Sequence, residues 1–457
     1  YNLIHQLKEH HLDVVFCSYV EDQALEFVPV VQQEFYVIVS LKHPLAKYEE
    51  IDLKEIEKYT GVLEPLNFKG VKQELENKNL LEKADDYLSA SGHLAAILYK
   101  EEIERAMKTP GISGFQLLDL HDFPGQGTAL VGLLNAFWES KGVANAEEFR
   151  QFSAPVVPLA RFSKAVYKNN EQFTADIEIA NYSSEEINNK NIKWALTNAS
   201  GQPLQEGIIP LTNIKIGGGN IAGKISCSLS EVKKAERLTL RVSIENSSYK
   251  NTWNIWVYPA TLTIEKEEIV VTDKLTETQK ALAAGKTVLF NPPYQLCAGL
   301  QGKFVPVFWS PVHFPKQAGT MGLLLDPTHK AFAHFPTEGH TNWQWWSLTT
   351  QSRTLVIDSI YQHITPLVEC VDNFANNRRL ATLFETNCLN GKLIVCSMDL
   401  LNHQDTFPEK KQLLYSLINY MKSNAFAPIK SISFEELCSL VKPSSKGKKE
   451  ETPQSVY

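Results

Sequence analysis

Between Gln172 and Pro259 the sequence alternates polar and apolar residues with period two, in one run after another. The runs are QFTADIEIANY (Gln172–Tyr182), IKWALTN (Ile192–Asn198), RLTLRVSIE (Arg237–Glu245) and TWNIWVYP (Thr252–Pro259), separated by turn signals at Asn198–Gly201 and Gly217-Gly218-Gly219. Period two sends alternate side chains to opposite faces of a strand, so each run carries one apolar face that needs a second sheet to cover it. About seven such strands in roughly 110 residues predict an immunoglobulin-like β-sandwich over residues 151–260. Trp253 and Trp256 stand three apart, hence on opposite faces, and at least one of them is expected in a core.

Downstream the periodicity changes. EEIVVTD (Glu267–Asp273) leads into the helical pattern LTETQKALAAG, and the apolar runs KTVLFNPP, TMGLLLD, TLVIDS, LATLFET and GKLIVCSMDL follow, before the helix EKKQLLYSLINYMKS (Glu409–Ser423). Strands alternating with helices predict a doubly wound α/β domain with a mostly parallel sheet over residues 261–428. The remaining 429–457 read as a short helix, FEELCSLV, and a polar, charged tail expected to be disordered. Cys396 lies within a strand pattern and lacks the flanking glycines of a nucleophile elbow, so the α/β domain is expected to be non-catalytic.

Upstream, Tyr87–Lys108 reads as one long helix, or two broken at Gly92, closed by Thr109-Pro110-Gly111. Then comes GFQLLDLHDFPGQG (Gly114–Gly127), an apolar run with Gln116, Asp119, His121 and Asp122 spaced through it and broken at Pro124, Gly125 and Gly127. The pattern predicts a buried strand ending in a polar mouth. In a (β/α)8 barrel that end of a strand faces the substrate; spacing alone leaves open that these residues merely tie down a turn after a core strand.

Three blocks decide more than spacing does: EIEKYTGVL (Glu55–Leu63), the long stretch Tyr87–Gly132, and FWESKG (Phe137–Gly142). They resemble the C-terminal half of a family 2 glycoside hydrolase of the β-galactosidase-like kind common in Bacteroidetes. The resemblance implies that residues 55–150 form the end of a TIM barrel, that Asp119, His121, Asp122 and the deeper Gln116 contact a β-linked sugar, and that the sandwich packs on the barrel. It likewise makes the last large domain flavodoxin-like or glutamine-amidotransferase-like. Family 2 enzymes are retaining and use two glutamates about 5 Å apart. By the resemblance both precede Glu55, and no matching motif stands there, so this chain is expected to be a truncated form that is inactive alone. Glu101, Glu102 and Glu104 in KEEIERAM are read as the solvated face of a helix whose apolar side is Leu98, Ile103 and Met107. The alternative function is a non-catalytic carbohydrate-binding or interaction module.

Residues 1–54 differ in kind. HLDVVFCS, LEFVPVVQQEFYVIVS, KHPLA and IDLKEI resemble a fragment of the effector-binding domain of LysR-type regulators, without the DNA-binding helices. A net charge of -7 with pI near 6.0 argues against nucleic acid as a partner. No apolar run approaches the roughly 18 residues that span a bilayer. Seven scattered cysteines suggest neither disulfides nor zinc. Tyr1 is read as the start of a fragment without a signal peptide, leaving localisation open, although intact relatives would be periplasmic or secreted. No cofactor is expected, and a partial barrel predicts docking against another chain or aggregation. Finally, HFPTEGHTNWQWWSL (His334–Leu348) offers His340, Trp343, Trp345 and Trp346 as a sugar platform. His334, Glu338 and His340 match no standard zinc spacing, so packing of the aromatics is the favoured use.

Overall fold

The computed structural model describes residues 66–118, 120–123, 130–211, 213–266, 268–305, 322–373 and 376–441. The chain divides into two compact units, 1–51 and 52–457, and every described residue belongs to the second. The LysR-like segment 1–54, Asp119, the glycine-rich loop 125–128 and the tail beyond Val441 lie outside the described residues.

The first described elements are helices α1 (Leu66–Asn77) and α2 (Ala84–Lys108). α2 runs unbroken through Gly92, where Val143 packs so closely that a Cβ would lie 2.4 Å from Val143 Cγ1. It stops at Thr109, whose extended backbone suits a residue preceding proline. After it, no barrel is present among the described residues. Residues 112–117 belong to no ladder, Phe115, Gln116 and Leu118 are exposed, and the pairing among the described residues of the segment that follows is limited to the isolated bridges His121–Leu134 and Leu134–Ser140. The expected buried strand at Gly114 is thereby corrected. A barrel strand is buried only when strands flank both its edges, and the described residues just upstream are helical. The short helix α3 (Ala146–Arg150), closed by a capping box between Asn145 and Glu148, leads into the sandwich.

Eight of the next ten strands build two facing sheets. One has the order β1 (Val156–Arg161), β3 (Gln172–Asn181), β8 (Gly217–Ser228); the other runs β2 (Val166–Lys168), β10 (Lys250–Tyr258), β9 (Glu236–Ile244), β5 (Asn191–Thr197), β6 (Pro203–Pro210). β4 (Ile187–Asn188) and β7 (Asn213–Ile214) form a separate pair. Every pairing is antiparallel except β2 with β10. β3 shows the cause: Phe173, Ala175 and Ile177 face inward while Gln172, Thr174 and Asp176 face water. β10 is apolar on both faces. Trp253, Ile255 and Val257 enter the sandwich core, and Trp256 and Tyr258 enter the core of the following layer. Both tryptophans are therefore buried, on opposite sides of one strand.

That layer is a mixed sheet in the order β11 (Ile269–Thr272), β12 (Thr287–Phe290), β18 (Gly391–Cys396), β17 (Leu380–Cys388), β15 (Arg353–Val356), β13 (Gly299–Gln301). β16 (Thr365–Cys370) pairs with β17 and with β14 (Leu323–Leu324), and β19 (Ser431–Ile432) extends β17. β11, β12 and β18 form a parallel run, with helix α4 (Leu275–Ala283) as the crossover between β11 and β12, and the short β19 lies parallel to β17. β17 and β18 are antiparallel, so the expected mostly parallel, doubly wound sheet is corrected to a mixed one. The physical reason is the link itself. Leu389 and Asn390 alone join the two strands, which suffices for a hairpin and is far too short for a parallel crossover. Helices α5 (Trp346–Thr350), α6 (Pro408–Lys422) and α7 (Phe434–Ser439) complete the layer, the last capped by Ser433 and Glu436.

α2 ties the two parts together. Its C-terminal half places Ile103 and Met107 against Val157, Leu159 and Ala180 of the sandwich, and its N-terminal half places Ala90 against Val371 of the α/β layer. Glu104, read from sequence as solvent-facing, is 1% exposed. Its carboxylate accepts from Lys100 (2.6 Å), Lys108 (3.1 Å), Asn251 Nδ2 (2.8 Å) and Trp253 Nε1 (2.9 Å). Burial opposes the charge, but the two ammonium groups and the indole donor outweigh it and hold the carboxyl below its usual range.

Candidate functional site

The site grows from one buried ion pair. Asp122 is 1% exposed, and its Oδ1 accepts from Lys141 Nζ at 2.7 Å and from the Gly132 amide at 3.0 Å. Burial pushes this carboxyl up, and Lys141 and the Gly132 N–H pull it only part of the way back. Gly132 must be glycine for this contact to form, since a Cβ would stand 2.5 Å from the Asp122 nitrogen. Backbone bonds Asp122 N to Leu134 O (3.0 Å) and Leu134 N to Leu120 O (3.1 Å) lace the two segments together. Asp122, expected from the resemblance to meet a sugar, is thus buried and engaged by Lys141 and Gly132.

His121 sits above that anchor, half-buried. Its Nδ1 donates to the Asp122 carbonyl oxygen at 2.7 Å, which fixes the orientation of the ring. Trp138 packs beside it, with ring centroids 4.4 Å apart and planes tilted by 45°. The turn that carries Trp138 is knotted by Asn135. Its Oδ1 accepts from the amides of Phe137 (2.8 Å) and Glu139 (3.0 Å), its Nδ2 donates to Glu139 Oε2 (2.6 Å), and its carbonyl accepts from the Trp138 amide (3.1 Å). Gln116 is exposed on the preceding segment.

The second predicted group does not form one surface. Trp345 is wholly buried, its Nε1 donates to Thr337 Oγ1 at 2.9 Å, and Phe332 and Phe335 meet it edge-on. It cannot offer a face to a sugar. Trp343 is partly buried and stacks on Phe304, Trp346 is half-buried on the short helix α5, and His340 stacks on His93 of α2 at 4.2 Å, its imidazole pushed down by burial. The platform over these four residues is corrected: a core aromatic cluster has taken Trp345. Glu338 is committed to Arg237 and Asn342, and among the described residues no group of three metal-ligating side chains comes together. Cys396 is fully buried and its thiol is pushed far up by that burial, the reverse of an activated nucleophile.

Sequence reasoning missed Lys141 and Asn135 and assigned no geometry to the turn around Trp138. The stretch NAFWESKG has no apolar period to give its geometry away; the one local hint is Asn135 itself, a residue that folds turns onto its own side chain.

Residues 270–442 match the model of a domain of unknown function (DUF8487), and residues 171–259 match that of a second domain of unknown function (DUF8488). No curated protein matches the chain. Among solved structures, the CARDB domain of a Pyrococcus furiosus protein shares 6% identity over 23% of this chain and 93% of its own, with a TM-score of 0.18. A β-glucuronidase from glycoside hydrolase family 2 shares 11% identity over 23% of this chain and 11% of its own, with a TM-score of 0.17. The Parabacteroides merdae β-glucuronidase shares 10% over 30% of this chain and 21% of its own, with a TM-score of 0.18. The likeness to family 2 glucuronidases is distant, and the chain spans at most about a fifth of the length of these two.

Proposed function

We propose that this chain is a carbohydrate-active protein of the family 2 glycoside hydrolase kind, and that its sugar contact is the mouth built from residues 116–122 and 135–141. One observation carries the reading. The two blocks that resemble the hydrolases, Tyr87–Gly132 and Phe137–Gly142, are joined by the buried Asp122–Lys141 pair, and that join sets His121 at the surface. His121 then meets sugar hydroxyls, Gln116 supports it from the preceding segment, and Asp122 orients the site from below; Asp119, which the resemblance also assigns to the sugar, lies outside the described residues. The resemblance implies hydrolysis of a terminal β-linked sugar by a two-glutamate retaining mechanism in whole relatives, with a β-galactoside as the first candidate. No glutamate of α2 is assigned to that chemistry: Glu104 is held by four donors, and Glu101 pairs with Arg105.

The test is a panel of nitrophenyl β-glycosides, scored for binding by calorimetry and for turnover. The expected result is binding of at least one glycoside without release of nitrophenol, weakened when His121 is changed to Ala. Turnover by the chain alone would refute the non-catalytic part of the reading, and absence of binding across the panel would refute the rest.

A further inference from the structure

The N-terminal half of α2 meets the α/β layer through a thin joint. Its buried apolar part is Ala90 against Val371, with Tyr87 and Leu324 partly buried beside them. One turn on from Ala90, His93 lies face to face with His340 of the layer, the ring centroids 4.2 Å apart and the planes within 11° of parallel. Each ring is oriented by a backbone carbonyl that accepts from its Nδ1, Ser89 O at 2.7 Å and Thr341 O at 3.1 Å. Parallel planes exclude a shared metal ion, because the lone pairs of stacked imidazoles run side by side and do not converge on one point. The charged groups around the stack are committed to other partners: Glu338 to Arg237 and Asn342, Glu369 to Lys83, Asp372 to Arg378, and Asp326 to Thr328. Along α2 itself, Asp86 and the Glu104-bound Lys100 each stand two turns away, about 10 Å at 1.5 Å per residue. The Tyr87 phenol is pushed far up by burial and stays neutral. Burial, and after it the neighbouring His93, hold the His340 imidazole below its ordinary value, which the Thr341 carbonyl and Glu338 only partly offset.

We propose that the His93–His340 stack is a pH-sensitive latch, which docks the N-terminal half of α2 on the α/β layer near neutral pH and releases it when both rings take up protons. Neutral rings stack without penalty, whereas two positive charges at this separation repel each other. The docked state therefore resists the second proton and the released state admits it, so docking is fully favoured above the ordinary imidazole range near pH 6.5 and is lost as pH falls below it. Release is local. The C-terminal half of α2 stays held by the Glu104 network and by Ile103 and Met107 against the sandwich. The effect still reaches the mouth, because Gly92, next to His93, packs on Val143, and Tyr99 Oη donates to the Val131 carbonyl at 2.8 Å. The latch is independent of what the mouth binds.

Hydrogen–deuterium exchange on the full chain decides it, with protection factors compared at pH 7.5 and pH 5.0 after correction for intrinsic exchange rates. The expected result at the lower pH is a loss of protection of about 10-fold or more across residues 86–97, with residues 172–181 of β3 unchanged. His93→Phe and His340→Phe each keep a ring in the stack and take the proton-binding group away, so either should hold residues 86–97 within about 3-fold of their protection at pH 7.5. Equal loss in the parent and in both variants would overturn the latch. So would no loss in the parent, or the same loss in β3, which is global acid unfolding. If the variants fail to fold at pH 7.5, the histidine 13Cε1 resonances of the parent carry the test, identified by their absence in His93→Gln and His340→Gln. Two coupled steps, the later one below about pH 6.5, are then expected, and two independent titrations at or above that value would overturn the proposal.

Discussion

Glu409 is a buried carboxyl whose removal should stabilise the protein, and only above a definable pH. It occupies the first turn of α6, where the helix dipole favours a negative charge by up to about 1 kcal/mol. Yet it is 4% exposed; one oxygen accepts from the Ser347 hydroxyl, and Oε2 is buried with no hydrogen-bond partner among the described residues. Burial dominates, with Ser347 and Lys410 opposing it, and pushes the carboxyl up from 4.5 to about 7. A folded-state pKa above the unfolded one means that the native protein holds the proton through pH values where the unfolded chain releases it. Stability then declines as pH rises from 4.5 to about 7 and stays reduced above that. At about 1.4 kcal/mol per pH unit, the span between those two values is a penalty of about 3.5 kcal/mol at pH 8. Glutamine has the same shape, still accepts from Ser347 and cannot ionise. Glu409→Gln should therefore melt within about 1 °C of the parent at pH 4.5 and roughly 7 °C above it at pH 8, taking about 2 °C per kcal/mol for a chain of this size. Thermal melts at pH 4.5, 6, 7 and 8 decide the matter. A difference that is constant across that range, or a variant less stable than the parent at pH 8, would refute the argument.

Other expectations follow from the same kind of accounting. Glu104→Ala leaves Lys100 and Lys108 without their anion and Trp253 Nε1 without its acceptor, so chemical denaturation should show a loss of about 3–5 kcal/mol. Asp122→Leu should raise amide exchange across residues 120–141 at least 10-fold by leaving Lys141 buried and unpaired, and the double variant Asp122→Leu with Lys141→Met should restore most of the protection. Trp345→Ala should lower stability by about 3–5 kcal/mol through a core cavity and leave glycoside affinity unchanged, as befits a packing residue. Gly132→Ala should disturb the His121 region as strongly as loss of the ion pair does, because its methyl group would meet the Asp122 backbone; exchange or proteolysis between residues 118 and 142 would register it.

The division between what could be read and what could not runs along particular residues. The β-sandwich was legible because period two is a local property: Phe173, Ala175 and Ile177 declare their face within six residues. Trp253 and Trp256 were legible as a pair on opposite faces for the same reason, although which core each enters was not. The sense of the α/β sheet was misjudged between β17 and β18, where the strand runs extended to Cys388 and left a two-residue link that only a hairpin can use. Glu104 looked solvated because its four partners come from its own helix and from β10, nearly 150 residues away. The aromatic cluster at Trp343–Trp346 was legible as packing rather than as a platform, but which ring the core encloses was not, since composition carries no information on that.

At the mouth itself, the sequence by itself determined the residue types and their two clusters: Gln116 to Asp122 on one side, Asn135 to Lys141 on the other. Tertiary structure decided their roles. Asp122 and Lys141 neutralise each other once both are buried, so the carboxylate expected to meet a ligand became the anchor beneath it. Trp138, with no periodic signal to mark it, was left half in water by a turn that Asn135 holds against its own backbone strain. Local patterning fixes which face a strand or helix shows. Burial and charge pairing across distant segments depend on where the chain returns in space, and only the fold contains that.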